Sequence, residues 1–166
     1  QNAEALKMMH RGEVQIITAV RDPIDRMISL FNYIKHTEAH PHYKKLQTMP
    51  AQEFFCEQPA NFQFNFLAFN MIDNVDALFS IMNIVPMKES ITAFKGYLET
   101  ILDKKLNEVN VQNRTADIAA GAGLFNRSML SENEVSELEA EHQLDLALYQ
   151  ESMRKGLFSP SAQRDR

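Results

Sequence analysis

Two polar side chains in one short stretch have the types and the spacing to hold a phosphate group. In ITAVRDPIDRMISLFNYIK, residues 17–35, Arg21 stands where an apolar β-branched run gives way to amphipathic helical spacing, and Ser29 follows eight positions later. A guanidinium at the carboxyl end of a strand, beside a helix N-terminus, makes an anion site in which the cation, the first backbone N–H groups and the helix dipole act on one ligand. Ser29 lies seven residues beyond Asp22, almost two helical turns, so its hydroxyl returns to roughly the face that Asp22 caps. Ligands in open α/β folds gather at the carboxyl ends of strands. Spacing alone leaves a plainer reading open, in which Arg21 pairs with a nearby carboxylate and Ser29 is a small polar residue on a partly exposed helix.

A strand, a corner and a helix are needed to position these groups, and the local sequence contains all three. EVQIITAV is short, apolar and β-branched, as a buried strand requires. Asp22 is a helix cap and Pro23 suits a first helical turn, where its missing N–H costs nothing. Ile24, Met27, Ile28, Phe31 and Ile34 then form one apolar stripe, so residues 14–35 read as strand, turn and helix. Upstream, AEALKMMHRG reads as a short helix ending at Gly12.

Beyond residue 35, HTEAHPHYKKLQTMP is polar, carries two prolines and reads as an excursion loop. Pro50 opens a short helix in AQEFFCEQ, ANFQFNFLAFNMI forms a second, and VDALFSIMN a third, with Asp73 or Asn74 as its cap. IVPM reads as a very short strand, and KESITAFKGYLETILDKKL as a helix with Ile91, Phe94, Leu98, Ile101 and Leu102 on one face. From about 106 to 130 the chain is aperiodic, a long loop of the kind that is more often functional than idle. Ser131 followed by Glu134 is a capping-box signature that starts one long helix, running to Gly156, with Val135, Leu138, His142, Leu146 and Tyr149 on its buried side.

At 166 residues, 45% apolar and 23% charged, the chain has the proportions of one globular domain and is short for two. The expectation is a predominantly helical α/β domain over 1–156 with a frayed tail at 157–166. A net charge of −5 argues against a general nucleic-acid partner but permits a small anion site built from two or three donors. Cys56 is the only cysteine, which excludes an intrachain disulfide and a cysteine-based zinc site. No apolar stretch reaches the length of a membrane span, and QNAEALKMMHRG lacks a signal-peptide core.

With these elements in place, VRDPIDRMISLFNYI resembles the 3′-phosphate-binding segment of sulfotransferases that use 3′-phosphoadenosine 5′-phosphosulfate, whose pattern is Arg-Asp-Pro, then Arg, then Ser and an aromatic. It looks most like the carbohydrate sulfotransferases related to the heparan and chondroitin enzymes, bacterial relatives included. NFQFNFLAF is similar to the Asn-Phe-Gln segment that follows in this group, and SENEVSELEAEHQLDLALYQ to its closing helix, which often ends in Asp-x-x-Leu-Tyr. The three matches stand in the family's order and cover most of the chain.

The resemblance implies a P-loop-like sulfotransferase fold, with Arg21 and Ser29 as ligands of the 3′-phosphate. NVQNRTADI resembles a family loop in which an Arg or Lys approaches the same phosphate, which makes Arg114 and Thr115 candidates; a solvated loop is the alternative for Arg114. The implied reaction passes a sulfuryl group from 3′-phosphoadenosine 5′-phosphosulfate to a hydroxyl, expected to be a carbohydrate's, and leaves adenosine 3′,5′-bisphosphate, without a metal. The family's Gly-rich phosphate loop with its Lys, and its catalytic His or Glu, precede the Arg-Asp-Pro segment; no such loop precedes residue 21 here. The chain therefore looks like the carboxyl-terminal part of such an enzyme, supplying cofactor affinity and orientation. Bacterial members are cytoplasmic and animal relatives work in the Golgi lumen. The alternatives are a non-catalytic nucleotide-binding protein and a helical protein-interaction domain.

Weaker signals accompany these. His36, His40 and His42 have spacings that can chelate a metal, but no carboxylate stands in ligand register and a solvated loop is the simpler reading. HPHYKK, through His42, Lys44 and Lys45, is a candidate contact for an anionic glycan. Phe54, Phe55, Phe62, Phe64, Phe66 and Phe69 are expected in the core, Met8, Met9, Met71 and Met82 as packing residues, and the glutamates between 132 and 141 on a solvated helix face.

Overall fold

The structure, a computed structural model, describes residues 16–69, 71–87, 95, 96, 98–100, 103–107 and 123–155. The helix expected in AEALKMMHRG, with Met8 and Met9, and the candidates Arg114 and Thr115 lie outside the described residues, as does the tail. Strand β1 (Ile16–Val20) pairs in parallel with β2 (Met82–Pro86), Ile16 opposite Met82 and Val20 opposite Pro86. Between the strands run α1 (Pro23–His36), α2 (Tyr43–Leu46), α3 (Ala51–Cys56), α4 (Phe62–Ala68) and α5 (Val75–Ile81). After β2 the backbone is helical at 95, 96 and 98–100. A 3-10 turn at Arg127–Met129 then leads into α6 (Glu132–Glu141) and α7 (Gln143–Lys155). The chain is thus α/β and mostly helical, and no helix among the described residues is long and apolar enough to cross a membrane.

Local chemistry sets most element starts. The Asp22 carboxylate accepts hydrogen bonds from the Ile24 and Asp25 N–H groups at 3.0 and 3.1 Å, with Pro23 beside it at the first helical position. The Asn74 side chain caps α5 through the Ala77 N–H, and Ser131 and Glu134 form both halves of a capping box on α6. The expected α1 stripe of Ile24, Met27, Ile28, Phe31 and Ile34 is buried throughout.

Two apolar clusters flank α1. One packs its stripe against Leu46, Met49, Phe54 and Phe55, with the rings of Phe31, Phe54, Phe55 and Phe125 between 5.5 and 6.0 Å apart. The other packs Val20 and Ile84 of the sheet against Phe64 and Leu67 of α4, Leu78 of α5 and Leu148 of α7.

Four expectations are corrected. The excursion loop contains the short helix α2. The single closing helix is two, broken at His142; Leu138 and His142 are buried and Val135 and Tyr149 pack partly buried against the core, as the pattern placed them, but Asp145, Leu148 and Ser152 are buried in addition and Leu146 is only half-buried. Among the phenylalanines, 54, 55 and 64 are core residues, whereas Phe62, Phe66 and Phe69 are exposed by 43, 63 and 48%. Met71 is exposed as well, while Met82 is buried.

Leu148 has no exposed surface and joins α7 to the sheet. Leu148→Ala should lower stability by about 2–5 kcal/mol in urea denaturation, through lost transfer energy and the cavity left behind. A loss below about 1 kcal/mol would show that α7 is not part of the sheet's core.

Candidate functional site

The β1–α1 corner is held by a side chain 42 residues away. The Arg21 N–H donates to Gln63 Oε1 at 2.9 Å, and Gln63 Nε2 donates to the Arg21 carbonyl at 2.8 Å, so one primary amide pairs with the backbone of Arg21 as a neighbouring peptide would. Gln63 is itself fixed through α4. Asp145, fully buried on α7, accepts from the Gln63 N–H at 3.1 Å and the Phe64 N–H at 2.7 Å. In return the Asn61 carboxamide accepts from the Leu144 and Asp145 N–H groups at 2.8 and 3.2 Å. Each helix start is therefore capped by a residue of the other. Asn61 holds the left-handed conformation, φ 51°, which asparagine tolerates better than most residues.

Arg26, half-buried, and His142, fully buried, lie beside this pair. The Arg26 guanidinium lies 4.8 Å from the centre of the Phe62 ring, and its Nε and Nη2 are buried without hydrogen-bond partners among the described residues. Burial pushes it below its ordinary pKa and Asp145 pulls the other way. His142 Nδ1 accepts from the Asn61 N–H at 3.2 Å, which assigns the ring proton to Nε2. Burial pushes His142 below the ordinary histidine value; Asp145 and Glu141 oppose that shift and Arg26 adds to it.

On this frame the Arg21 guanidinium is exposed and makes no hydrogen bond or ion pair among the described residues. Its expected alternative, pairing with a carboxylate, is instead the role of Arg127. That guanidinium meets Asp22 at 3.0 Å, Glu139 at 3.0 Å and Asp25 at 3.8 Å. Ser29 is half-buried on α1 and its hydroxyl has no partner among the described residues. Ser80 and Ser152 differ, returning their hydroxyls to the Ala77 and Tyr149 carbonyls at 2.7 and 2.6 Å. One expected contribution is corrected: the first N–H groups of the helix are not open to an anion, because Asp22 occupies those of Ile24 and Asp25. At the corner itself the Arg21 guanidinium remains for an anion, and the Ser29 hydroxyl stands about 9 Å along α1 from Pro23.

The histidine loop does not form a chelating set. His40 Nδ1 accepts from the His42 N–H at 3.2 Å, and no group of three His, Cys, Asp or Glu residues suited to a metal occurs among the described residues. Lys45 is engaged by Glu57 at 2.6 Å, which leaves His42 and Lys44 exposed in the segment considered for a glycan.

The chain matches no family model, no curated protein and no solved structure. The Arg21 backbone, Asn61–Phe64 and the stretch from His142 to Asp145 are linked by seven hydrogen bonds. Gln63, Arg127 and Asp145 escaped the reading of single residues because their partners are far away in sequence.

A pH dependence follows from His142. The unfolded chain takes up this proton near the ordinary value of about 6.5, and the folded chain only at lower pH. The stabilising contribution is therefore complete above about 6.5 and is lost as pH falls from there toward the folded value. In urea denaturation at pH 7.5 and 5.5, His142→Asn, whose side-chain oxygen can still accept from Asn61, should show a smaller acid-side loss of stability than wild type. Equal losses in both proteins would contradict this role.

Proposed function

We propose that the chain holds the 3′-phosphate of 3′-phosphoadenosine 5′-phosphosulfate in a sulfotransferase acting on a hydroxyl, most simply that of a carbohydrate. The observation that carries this reading is the state of Arg21. It is an exposed cation with no counter-ion among the described residues, at the carboxyl end of a strand, on a backbone pinned by Gln63. The neighbouring acid Asp22 is already committed to helix amides and to Arg127, so it does not quench Arg21.

Within this reading Arg21 donates guanidinium N–H groups to the 3′-phosphate oxygens. Ser29, six residues and therefore about 9 Å along α1 from Pro23, donates its unengaged hydroxyl to the same group. The nucleotide, when bound, supplies the sulfuryl group. Gln63 limits the reorganisation of Arg21 on binding, and Asp22 shifts anion recognition from backbone to side chains. Hydrogen bonds to a charged group contribute about 1.5–3 kcal/mol each, enough for one to two orders of magnitude in affinity between nucleotides with and without the 3′-phosphate.

A second reading rests on the exposed rings of Phe62, Phe66 and Phe69 beside exposed Met71, an apolar ladder suited to a protein partner. Titration calorimetry separates the two. Adenosine 3′,5′-bisphosphate should bind at least about tenfold more tightly than adenosine 5′-monophosphate; Arg21→Ala should erase that preference and Ser29→Ala reduce it. A preference that survives Arg21→Ala contradicts the nucleotide reading, and no binding of either nucleotide favours the interaction domain.

A further inference from the structure

A cavity of about 250 Å³ lies on the far half of α1, walled by Phe31, Lys35, Met49, Leu124, Phe125 and Met129 among others. Lys35 is twelve residues beyond Pro23, about 18 Å along the helix axis, so the cavity is separate from the Arg21 corner. Its walls are set without a ligand. Asn32 Nδ2 donates to the Phe125 carbonyl at 2.7 Å and Asn32 Oδ1 accepts from the Phe125 N–H at 3.0 Å, which locks the 123–129 segment onto α1. The Phe125 ring then packs edge-on against Phe31 and Phe55 at 5.8 and 5.6 Å.

Among the described residues of this lining, one carries a charge. The Lys35 ammonium lies 5.1 Å from the centre of the Phe31 ring and has no carboxylate partner among the described residues. Of the two uncharged polar side chains in the wall, Asn32 has both ends of its carboxamide bonded to Phe125, and Gln52 bonds to Glu134. A half-open, mostly apolar cavity with one unneutralised cation among its described wall residues favours a ligand with an apolar body and one negative charge. The volume exceeds the roughly 150 Å³ that accepts benzene and falls short of the ~300 Å³ where drug-sized pockets begin, which limits the body to one ring or a short branched chain.

We infer that this cavity is a second, independent binding site for a small aryl or branched-alkyl carboxylate, with the apolar body among Phe31, Met49, Phe125 and Met129 and the carboxylate on Lys35. The inference does not depend on the reading of the Arg21 corner.

The probe is 3-phenylpropanoate, with neutral 3-phenylpropanamide as its charge control, followed through the methyl resonances of Met49 and Met129 in protein labelled at methionine methyl groups. Both resonances should shift saturably with the carboxylate. Lys35→Met, a change at the rim that leaves the core intact, should weaken that binding about tenfold while leaving the amide's weaker binding unchanged. Arg21→Ala should leave both titrations as in wild type. The inference is overturned if neither methyl shifts up to the solubility of the probe, if amide and carboxylate bind equally, if Lys35→Met has no effect, or if Arg21→Ala abolishes the binding.

Discussion

A buried carboxylate organises this domain. Asp145 has no exposed surface, so its charge must be met by donors that the fold provides, and it finds them in the Gln63 and Phe64 N–H groups with Arg26 nearby. Because Asn61 returns the favour at the start of α7, neither helix can shift without exposing orphan amides on the other. The pair therefore sets where Gln63 stands, and Gln63 sets where the backbone of Arg21 stands. A structural constraint at the centre of the molecule is in this way translated into the position of a cation at its edge.

The two arginines that face outward near this corner illustrate a division of labour. Arg127 is spent on three carboxylates and ties the 3-10 turn to the start of α1 and to α6. Arg21 carries no such obligation. An arginine used for scaffolding has its donors consumed, whereas one used for a ligand must keep them open, and only Arg21 meets the second condition. The same contrast separates Ser29 from Ser80 and Ser152, whose hydroxyls are turned back onto their own helices.

What the sequence made legible was local. Asp22 and Pro23 at the start of α1, the stripe from Ile24 to Ile34, the Asn74 cap and the Ser131–Glu134 capping box act over a few residues, and each is found where its pattern placed it. The break at His142 was not legible, because residues 132–155 contain no Gly or Pro to mark it. The helix ends there because the N–H groups of Leu144 and Asp145 go to Asn61, more than 80 positions earlier, instead of to carbonyls of the preceding turn. Phe62, Phe66 and Phe69 do share a helical face, but composition could not tell which face turns inward; the lock on α4 buries Phe64 and Leu67 and leaves that ladder outside. Arg127 meeting Asp22 is a contact across 105 residues that no local pattern encodes. The candidate site was thus visible as two residue types at a suggestive spacing, while the apparatus that positions the Arg21 backbone was not.

The coupling from core to corner is tested most directly by amide hydrogen exchange, residue by residue, in Asp145→Asn against wild type. If Asp145 positions Gln63 and Gln63 positions Arg21, the Arg21 amide should lose protection together with those of Gln63 and Phe64, although Arg21 itself bonds to Gln63 and not to Asp145. Loss confined to Gln63 and Phe64, with the Arg21 amide exchanging as in wild type, would contradict the account.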